Sequence, residues 1–222
     1  MITLPLMHKD GHIFVELDEG RWLLDTGAPS SFGEINSLTV ETKKFALPNN
    51  FSGLTAATLS EHIGTPCRGL LGADILGCFD HILDCANGTL SISTDELLHN
   101  GQEFRLSMLM GIPILTVQIS GRRFQMFFDT GAQISYLQDD TIRNFPTGES
   151  ITYFYPGFGQ FKTDTYQVDI SLGDINCKLV CGTLPGLLGN LLLVSETQGI
   201  IGNQIFDNRV IGYFPRRNAL YL

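Results

Sequence analysis

The chain has 222 residues, of which 43% are apolar and 17% charged, and its formal net charge is −9. This length suits one large domain or two domains of about 100 residues. Lys and Arg cluster only in pairs such as Lys43-Lys44, so the sequence offers no positive face to a nucleic acid or an anionic membrane surface. No window approaches the ~20 apolar residues of a membrane-spanning helix.

The N-terminal stretch "MITLPLMHKDGHIF" has no basic segment followed by a long apolar one, so we expect no signal peptide and a cytoplasmic protein. The odd number of five cysteines fits a reducing compartment. Cys177 and Cys181 lie four residues apart in a predicted strand, which places their Cα atoms ~13 Å apart. That distance is too long for a disulfide, and we expect buried free thiols.

The first half of the chain opens with a predicted β-hairpin, "HIFVEL" and "RWLLD", around Glu19-Gly20. The apolar strand Trp22-Leu23-Leu24 then runs into the tetrapeptide Asp25-Thr26-Gly27-Ala28. Further on, "FALPNNFSGL" predicts a short hairpin with its turn at Asn49-Asn50. "GLLGADIL" begins at Gly69 and closing apolar strands follow it.

Helical signals are scarce. "LSEHIG" (Leu59–Gly64) and "TDELLHNG" (Thr94–Gly101) each predict a turn or two of helix, and the second has an N-cap candidate and a glycine stop. The polar stretch around the second segment predicts the boundary between two lobes. We therefore expect an N-terminal lobe over 1–95, a linker over 96–107 and a C-terminal lobe over 108–222.

The second half repeats the order of the first. A hairpin around Ser120-Gly121 leads into Asp129-Thr130-Gly131-Ala132, which starts 104 residues after the first such tetrapeptide. "GIIGNQIF", from Gly199, repeats the later glycine motif; "GLLG" at Gly186 also matches, but apolar closing strands follow only Gly199. An internal repeat of this length predicts a duplicated small domain. The predicted fold is all-β, with two related small barrels joined edge to edge.

Each repeated aspartate ends an apolar strand, where a carboxylate is costly to bury without partners. The glycine that follows permits a sharp turn and brings backbone N–H groups toward the carboxylate. One copy holds one acid in place, and two copies related by approximate two-fold symmetry bring Asp25 and Asp129 together.

These two Asp-Thr-Gly-Ala loops, each with its aliphatic-aliphatic-Gly segment downstream, resemble the aspartic protease superfamily over nearly the whole chain. The Ala after Gly and the lobe size are similar to retropepsins, and the pairing of two lobes in one chain is similar to pepsin-like enzymes. The resemblance implies an endopeptidase that needs no metal or organic cofactor and acts on peptides or proteins as a monomer. It implies that Asp25 and Asp129 share one proton and activate a water molecule.

The resemblance also implies supporting roles in both loops. Thr26 and Thr130 would cross-link the loops, and Gly27 and Gly131 would offer backbone N–H groups. Ala28 and Ala132 cannot stabilise the ionised carboxylates as a hydroxyl would, so we expect a mildly acidic to near-neutral pH optimum.

Aspartic proteases close a flap over the substrate, and the interval that holds it is unequal in the two halves. It spans 47 residues from Asp25 to Gly72 and 73 residues from Asp129 to Gly202. We therefore expect one dominant flap, from the second half, with an ordinary surface hairpin as the alternative. Its predicted tip comprises Tyr155, Pro156, Gly157, Phe158 and Gly159.

Two other functions fit the same residues. One is a peptide-binding module on the protease fold that has weak or no turnover. The other is a processing protease that acts on itself or on a single partner, because the shortened first half changes the cleft. The presence of both aspartates favours an active endopeptidase.

Overall fold

The computed structural model describes residues 1–155 and 159–222. The fold is all-β, with 50% of the residues in strands and 14% in helices, which confirms the predicted class. The main apolar core runs through both halves of the chain and includes the fully buried Trp22, Phe79, Phe128 and Phe206. Among the described residues, no helix has the length and apolar character needed to cross a membrane.

Residues 1–95 form short strands and two α-helices. In chain order these are β1 Ile2–Lys9, β2 His12–Leu17, β3 Gly20–Leu24, β4 Phe32–Gly33, β5 Ser37–Val40, β6 Lys43–Ala46, β7 Asn50–Phe51, β8 Leu54–Thr55, α1 Ala56–Ile63, β9 Gly69–Leu71, α2 Ala73–Leu76, β10 Asp80–Asp84 and β11 Thr89–Ser93. Strand β3 pairs in parallel with β9, and β4 pairs with the other edge of β9 in the antiparallel sense.

The described part of residues 96–222 follows a related order. Its elements are β12 Glu103–Leu109, β13 Ile112–Ile119, β14 Arg122–Phe128, β15 Ser135–Leu137, β16 Ile151–Tyr155, β17 Gly159–Thr163, β18 Tyr166–Leu172, β19 Ile175–Gly182, α3 Gly186–Val194, β20 Gly199–Ile201, β21 Val210–Phe214 and β22 Ala219–Tyr221, with short 3-10 turns at Asp140–Asn144, Asn203–Phe206 and Pro215–Arg217. Strands β13, β14, β20, β15, β19 and β18 close into a six-stranded barrel.

The same pairing surrounds both Asp-Thr-Gly-Ala loops. In the second half β14 pairs in parallel with β20, and β15 pairs antiparallel with the other edge of β20. The placement of the second glycine motif at Gly199 is thereby confirmed, because Gly199 starts β20 whereas Gly186 starts helix α3.

One continuous sheet joins the two halves, in the strand order β12-β22-β21-β10-β11-β1. The junction is the antiparallel pair β10–β21, where His81 lies opposite Tyr213. Beside it, the fully buried Asp80 accepts hydrogen bonds from Arg216 at 3.1 Å and from Arg217 at 2.6 Å. Two ion pairs between the first and second halves of the chain therefore stabilise the junction.

The predicted helix over Thr94–Gly101 is wrong, because this segment contains no helix. Long-range partners take its backbone groups: Arg217 donates to the Leu97 carbonyl at 2.7 Å, and the Leu97 N–H donates to Asp80 at 3.0 Å. A helical ladder cannot form where side chains distant in sequence bind those groups. The predicted linker over 96–107 accordingly includes the start of β12.

In the first half, the short helix expected over Leu59–Gly64 is present as α1, which ends at a left-handed Gly64. The turn expected at Asn49-Asn50 is misplaced. The hairpin β7–β8 turns at Ser52-Gly53, whose φ angles are 50° and 83°. Two positive φ angles are what a tight two-residue hairpin turn requires, and glycine tolerates one best.

The five cysteines carry free thiols. Cys177 and Cys181 are buried in strand β19 as expected, and so is Cys67 in the first half. Cys78 and Cys85 are only half-buried.

Candidate active site

The two repeated aspartates follow strands that end at the same level. The N–H of Asp25 donates to the Leu71 carbonyl at 3.0 Å, and the N–H of Asp129 donates to the Ile201 carbonyl at 2.9 Å. Each aspartate is thus held by the central parallel strand of its own half, β9 or β20. The strands that precede the aspartates, β3 and β14, end in apolar residues that pack into the core. The two carboxyl groups lie directly after these strands end.

Backbone N–H groups of each loop hold the carboxyl groups. Asp25 Oδ1 accepts from Gly27 at 3.0 Å and Ala28 at 2.9 Å, and Asp129 Oδ1 accepts from Gly131 at 2.8 Å. The glycines also let the loops approach one another. A Cβ on Gly27 would lie 2.3 Å from Asp129 Cγ, and one on Gly131 would lie 2.5 Å from Asp25 Cγ.

The two carboxyl groups lie side by side, because the glycine of each loop packs against the carboxyl group of the other loop. Burial raises the pKa of both groups above the ordinary aspartate value. The pKa of Asp25 rises further because the charge of Asp129 lies beside it. A pair of this kind offers one acid and one base at the same place. We describe the proton as belonging to the pair, because coupled groups titrate together.

Beneath the carboxyl groups, the two threonines bind the opposite loops in a reciprocal way. Thr26 Oγ1 donates to the Phe128 carbonyl at 2.6 Å and accepts from the Thr130 N–H at 3.0 Å. Thr130 Oγ1 donates to the Leu24 carbonyl at 2.8 Å and accepts from the Thr26 N–H at 3.0 Å. Both threonines are buried. Four hydrogen bonds therefore fix the spacing of the loops.

Two serines support the loops without having been assigned a role from the sequence. Ser31 Oγ accepts from the Gly72 N–H at 2.8 Å, and Ser135 Oγ accepts from the Gly202 N–H at 3.1 Å. They lie 104 residues apart, which is the same offset as between the aspartates. This shared offset is the sequence signal by which the two serines could have been recognised as equivalent. Asp74 Oδ1 accepts hydrogen bonds from the backbone N–H groups of Ser31 and Ile75, both at 2.9 Å.

A cleft of about 300 Å³ opens above the aspartates. Apart from the two loops, it is lined mainly by apolar and aromatic side chains: Pro29, Phe32, Phe51, Leu54, Leu70, Tyr136, Tyr153, Phe154, Leu184 and Ile200. The alanines Ala28 and Ala132 also face this space.

The hairpin β16–β17 of the second half reaches across this cleft. Tyr153 donates its hydroxyl to the Gly131 carbonyl at 3.1 Å, and the next residue, Phe154, stacks on His62 of helix α1 with ring centroids 3.6 Å apart. We call strand β16 the strap, because two adjacent side chains on it, Tyr153 and Phe154, contact the second and the first half of the chain respectively. Of the predicted flap residues, Tyr155 and Gly159 flank the hairpin tip, and Pro156, Gly157 and Phe158 lie outside the described residues.

Sequence reasoning missed Tyr153 and Phe154, which make the contacts across the cleft. The signal was present in the aromatic run "YFY" just before the predicted tip. In the part of the chain that the structure describes, no group of three or more His, Cys, Asp or Glu side chains could hold a metal ion.

A scan against protein-family models found no match, and a search of curated proteins found no significant match.

Proposed function

We propose that this protein is an aspartic endopeptidase that hydrolyses peptide bonds with the Asp25–Asp129 pair. The observation that carries the proposal is the side-by-side placement of these carboxyl groups on two equivalent loops, one from each half of the chain, which reciprocal threonine bonds hold together. Two adjacent carboxylates repel one another. A purely structural role for these turns therefore does not account for two acids placed side by side.

The reaction follows from one proton shared by two carboxyl groups. The ionised carboxylate acts as general base and removes a proton from a water molecule, whose oxygen attacks the peptide carbonyl carbon. The protonated carboxyl donates its proton to the carbonyl oxygen, which gives a tetrahedral diol. The carboxyl that took the proton from water then gives it to the leaving nitrogen as the C–N bond breaks. The other carboxylate takes a proton from a hydroxyl of the diol, so the pair again holds one proton.

We further propose that the two halves are retropepsin-like lobes that face each other across the cleft. The repeated strand pairing around each loop and the reciprocal threonine bonds support this arrangement. One chain supplies both aspartates, so a monomer suffices for catalysis. The strap from the second half acts as the flap, and the apolar cleft favours a bulky apolar side chain next to the scissile bond.

The test is cleavage of a peptide library by the unmodified protein, with and without pepstatin. We expect cleavage that pepstatin blocks and that Asp25→Asn and Asp129→Asn each abolish. The substitution Asp169→Asn, of an exposed carboxylate on strand β18, is the matched control. Cleavage that survives either active-site substitution would rule out the proposed pair.

A further inference from the structure

A second, smaller cavity adjoins the cleft, and the reacting groups lie where the two spaces meet. The cavity has a volume of about 110 Å³, compared with about 300 Å³ for the cleft. Both spaces are lined by Asp25, Leu54, Leu70, Gly131, Tyr153 and Phe154. A peptide bond placed at Asp25 therefore has the cleft on one side and the smaller cavity on the other.

The wall of the smaller cavity is mainly aliphatic. Leu23, Leu59 and Ile63 line this cavity and not the cleft, and they add to the two leucines of the shared wall. Leu59 and Ile63 belong to helix α1 of the first half. Because they lie four residues apart, both side chains are on the same face of that helix. Helix α1 therefore supplies a part of this wall that the cleft lacks.

The polar side chains of the same wall have contacts of their own. Gln133 Nε2 donates to the Asp10 carbonyl at 2.7 Å and lies 3.0 Å from His12 Nε2. Burial lowers the pKa of His12 to about 4, so this ring is uncharged at neutral pH. The ring of His62 stacks on Phe154. The aliphatic side chains are therefore the main surface that the cavity offers to a substrate.

Size and charge determine which side chain fits. An apolar protein cavity of about 150 Å³ holds a benzene molecule, so a cavity of about 110 Å³ is too small for the ring and methylene group of phenylalanine. A leucine or isoleucine side chain is smaller and buries apolar surface against the aliphatic wall. The negative charge shared by Asp25 and Asp129 disfavours an acidic side chain beside Asp25.

We propose that the smaller cavity is a subsite for a leucine-sized aliphatic side chain on one side of the scissile bond, and that Leu59 and Ile63 set its size limit. This inference rests on the proposed peptidase function and narrows it to an ordered pair of residues. The position that faces the cavity takes an aliphatic residue, and only the position that faces the cleft takes an aromatic one.

The test uses a peptide library in which one position flanking the cleaved bond at a time holds Ala, Leu, Phe or Asp. At the position that faces the cavity, we expect kcat/KM to be roughly tenfold higher for Leu than for Ala, and at least as much higher than for Phe. At the other position, Phe should be cleaved at least as well as Leu. A preference for Phe or Asp over Leu at both positions, or no preference at either, overturns the proposal.

Variants of helix α1 test the size limit. Leu59→Ala and Ile63→Ala each enlarge the cavity, and each should raise the Phe-to-Leu ratio of kcat/KM roughly tenfold at the position that faces the cavity. Because Ile63 is only half-buried, Ile63→Ala keeps the test available where Leu59→Ala fails to fold.

Leu47→Ala is the matched control, because Leu47 is a buried leucine of the first half that lines neither space. Its Phe-to-Leu ratio should stay as in the unmodified protein. An unchanged ratio in Ile63→Ala, or an equal change in Leu47→Ala, overturns the assignment of the size limit to helix α1.

Binding separates this inference from the proposed function. The same peptides, fluorescently labelled, are titrated with Asp129→Asn, and fluorescence anisotropy reports affinity without turnover. If the unmodified protein cleaves nothing, the peptidase function fails, and tighter binding of Leu peptides than of Ala and Phe peptides still supports the subsite. Equal binding of the three, or no binding, overturns the subsite even if cleavage occurs.

Discussion

Removing one threonine hydroxyl beneath the aspartates should destabilise the protein far more than its size suggests. Thr26→Val deletes Oγ1, which binds the Phe128 carbonyl and the Thr130 N–H. Both backbone groups would remain buried without a partner, and each such group costs about 1–3 kcal/mol. We therefore expect the free energy of unfolding to fall by about 2–6 kcal/mol, a large part of the total of a typical domain.

The assay is urea unfolding followed by the fluorescence of the buried Trp22. Thr39→Val is the matched control, because Thr39 is exposed on strand β5 and the same chemical change there should shift stability by less than about 0.5 kcal/mol. In the folded fraction, kcat should fall by roughly 100-fold, because a small displacement of reacting groups has an effect of that size.

Thr130→Val should behave like Thr26→Val, because Thr130 makes the equivalent pair of hydrogen bonds. The double variant should lose less than the sum of the two, since the loops separate once either hydroxyl is absent. A cost for Thr26→Val no larger than that for Thr39→Val would refute the claim that these bonds hold the loops together.

Three other substitutions test separate parts of the account. Asp25→Asn should raise the melting temperature more at pH 7 than at pH 4. Because the pKa of Asp25 is raised in the folded state, the Asp25 carboxyl contributes stability below its unfolded pKa of ~3.9, and that contribution is lost as pH rises through the folded pKa. A melting-temperature difference that does not change with pH would contradict the raised pKa. Asp80→Asn should lower the free energy of unfolding, measured in urea, by about 3–5 kcal/mol, because it leaves two arginines poorly paired. The control Asp169→Asn, in an exposed ion pair, should lower it by less than about 1 kcal/mol. Equal losses would be evidence that the ion pairs of Asp80 do not stabilise the junction. Phe154→Ala should raise KM about two- to tenfold by removing the ring stacked on His62; an unchanged KM would show that the strap does not hold substrate.

The active-site loops could be predicted from the sequence because their signals are local and occur twice. The strand that ends at Leu24 or Phe128, the acid that follows and the glycine after the threonine lie within a few residues of one another. The common offset of 104 residues identified the equivalent positions. The downstream motif at Gly199 followed from the apolar strands after it.

Other features depend on contacts between distant parts of the chain. Thr94–Gly101 has the local pattern of a short helix, but Arg216 and Arg217 bind its carbonyl groups from more than 100 residues away. Tyr153 and Phe154 resemble any aromatic pair in a strand, and only the position of α1 shows that Phe154 meets His62.

The central claim is that Asp25 and Asp129 hold one proton as a single unit, and carboxyl ¹³C NMR titration of the aspartates tests it most directly. Spectra of Asp25→Asn and Asp129→Asn assign the two signals. The account predicts two separated titration steps for the pair, with the upper step well above the ~3.9 of an ordinary aspartate. Two independent carboxyl groups that both ionise near ~3.9 would contradict it.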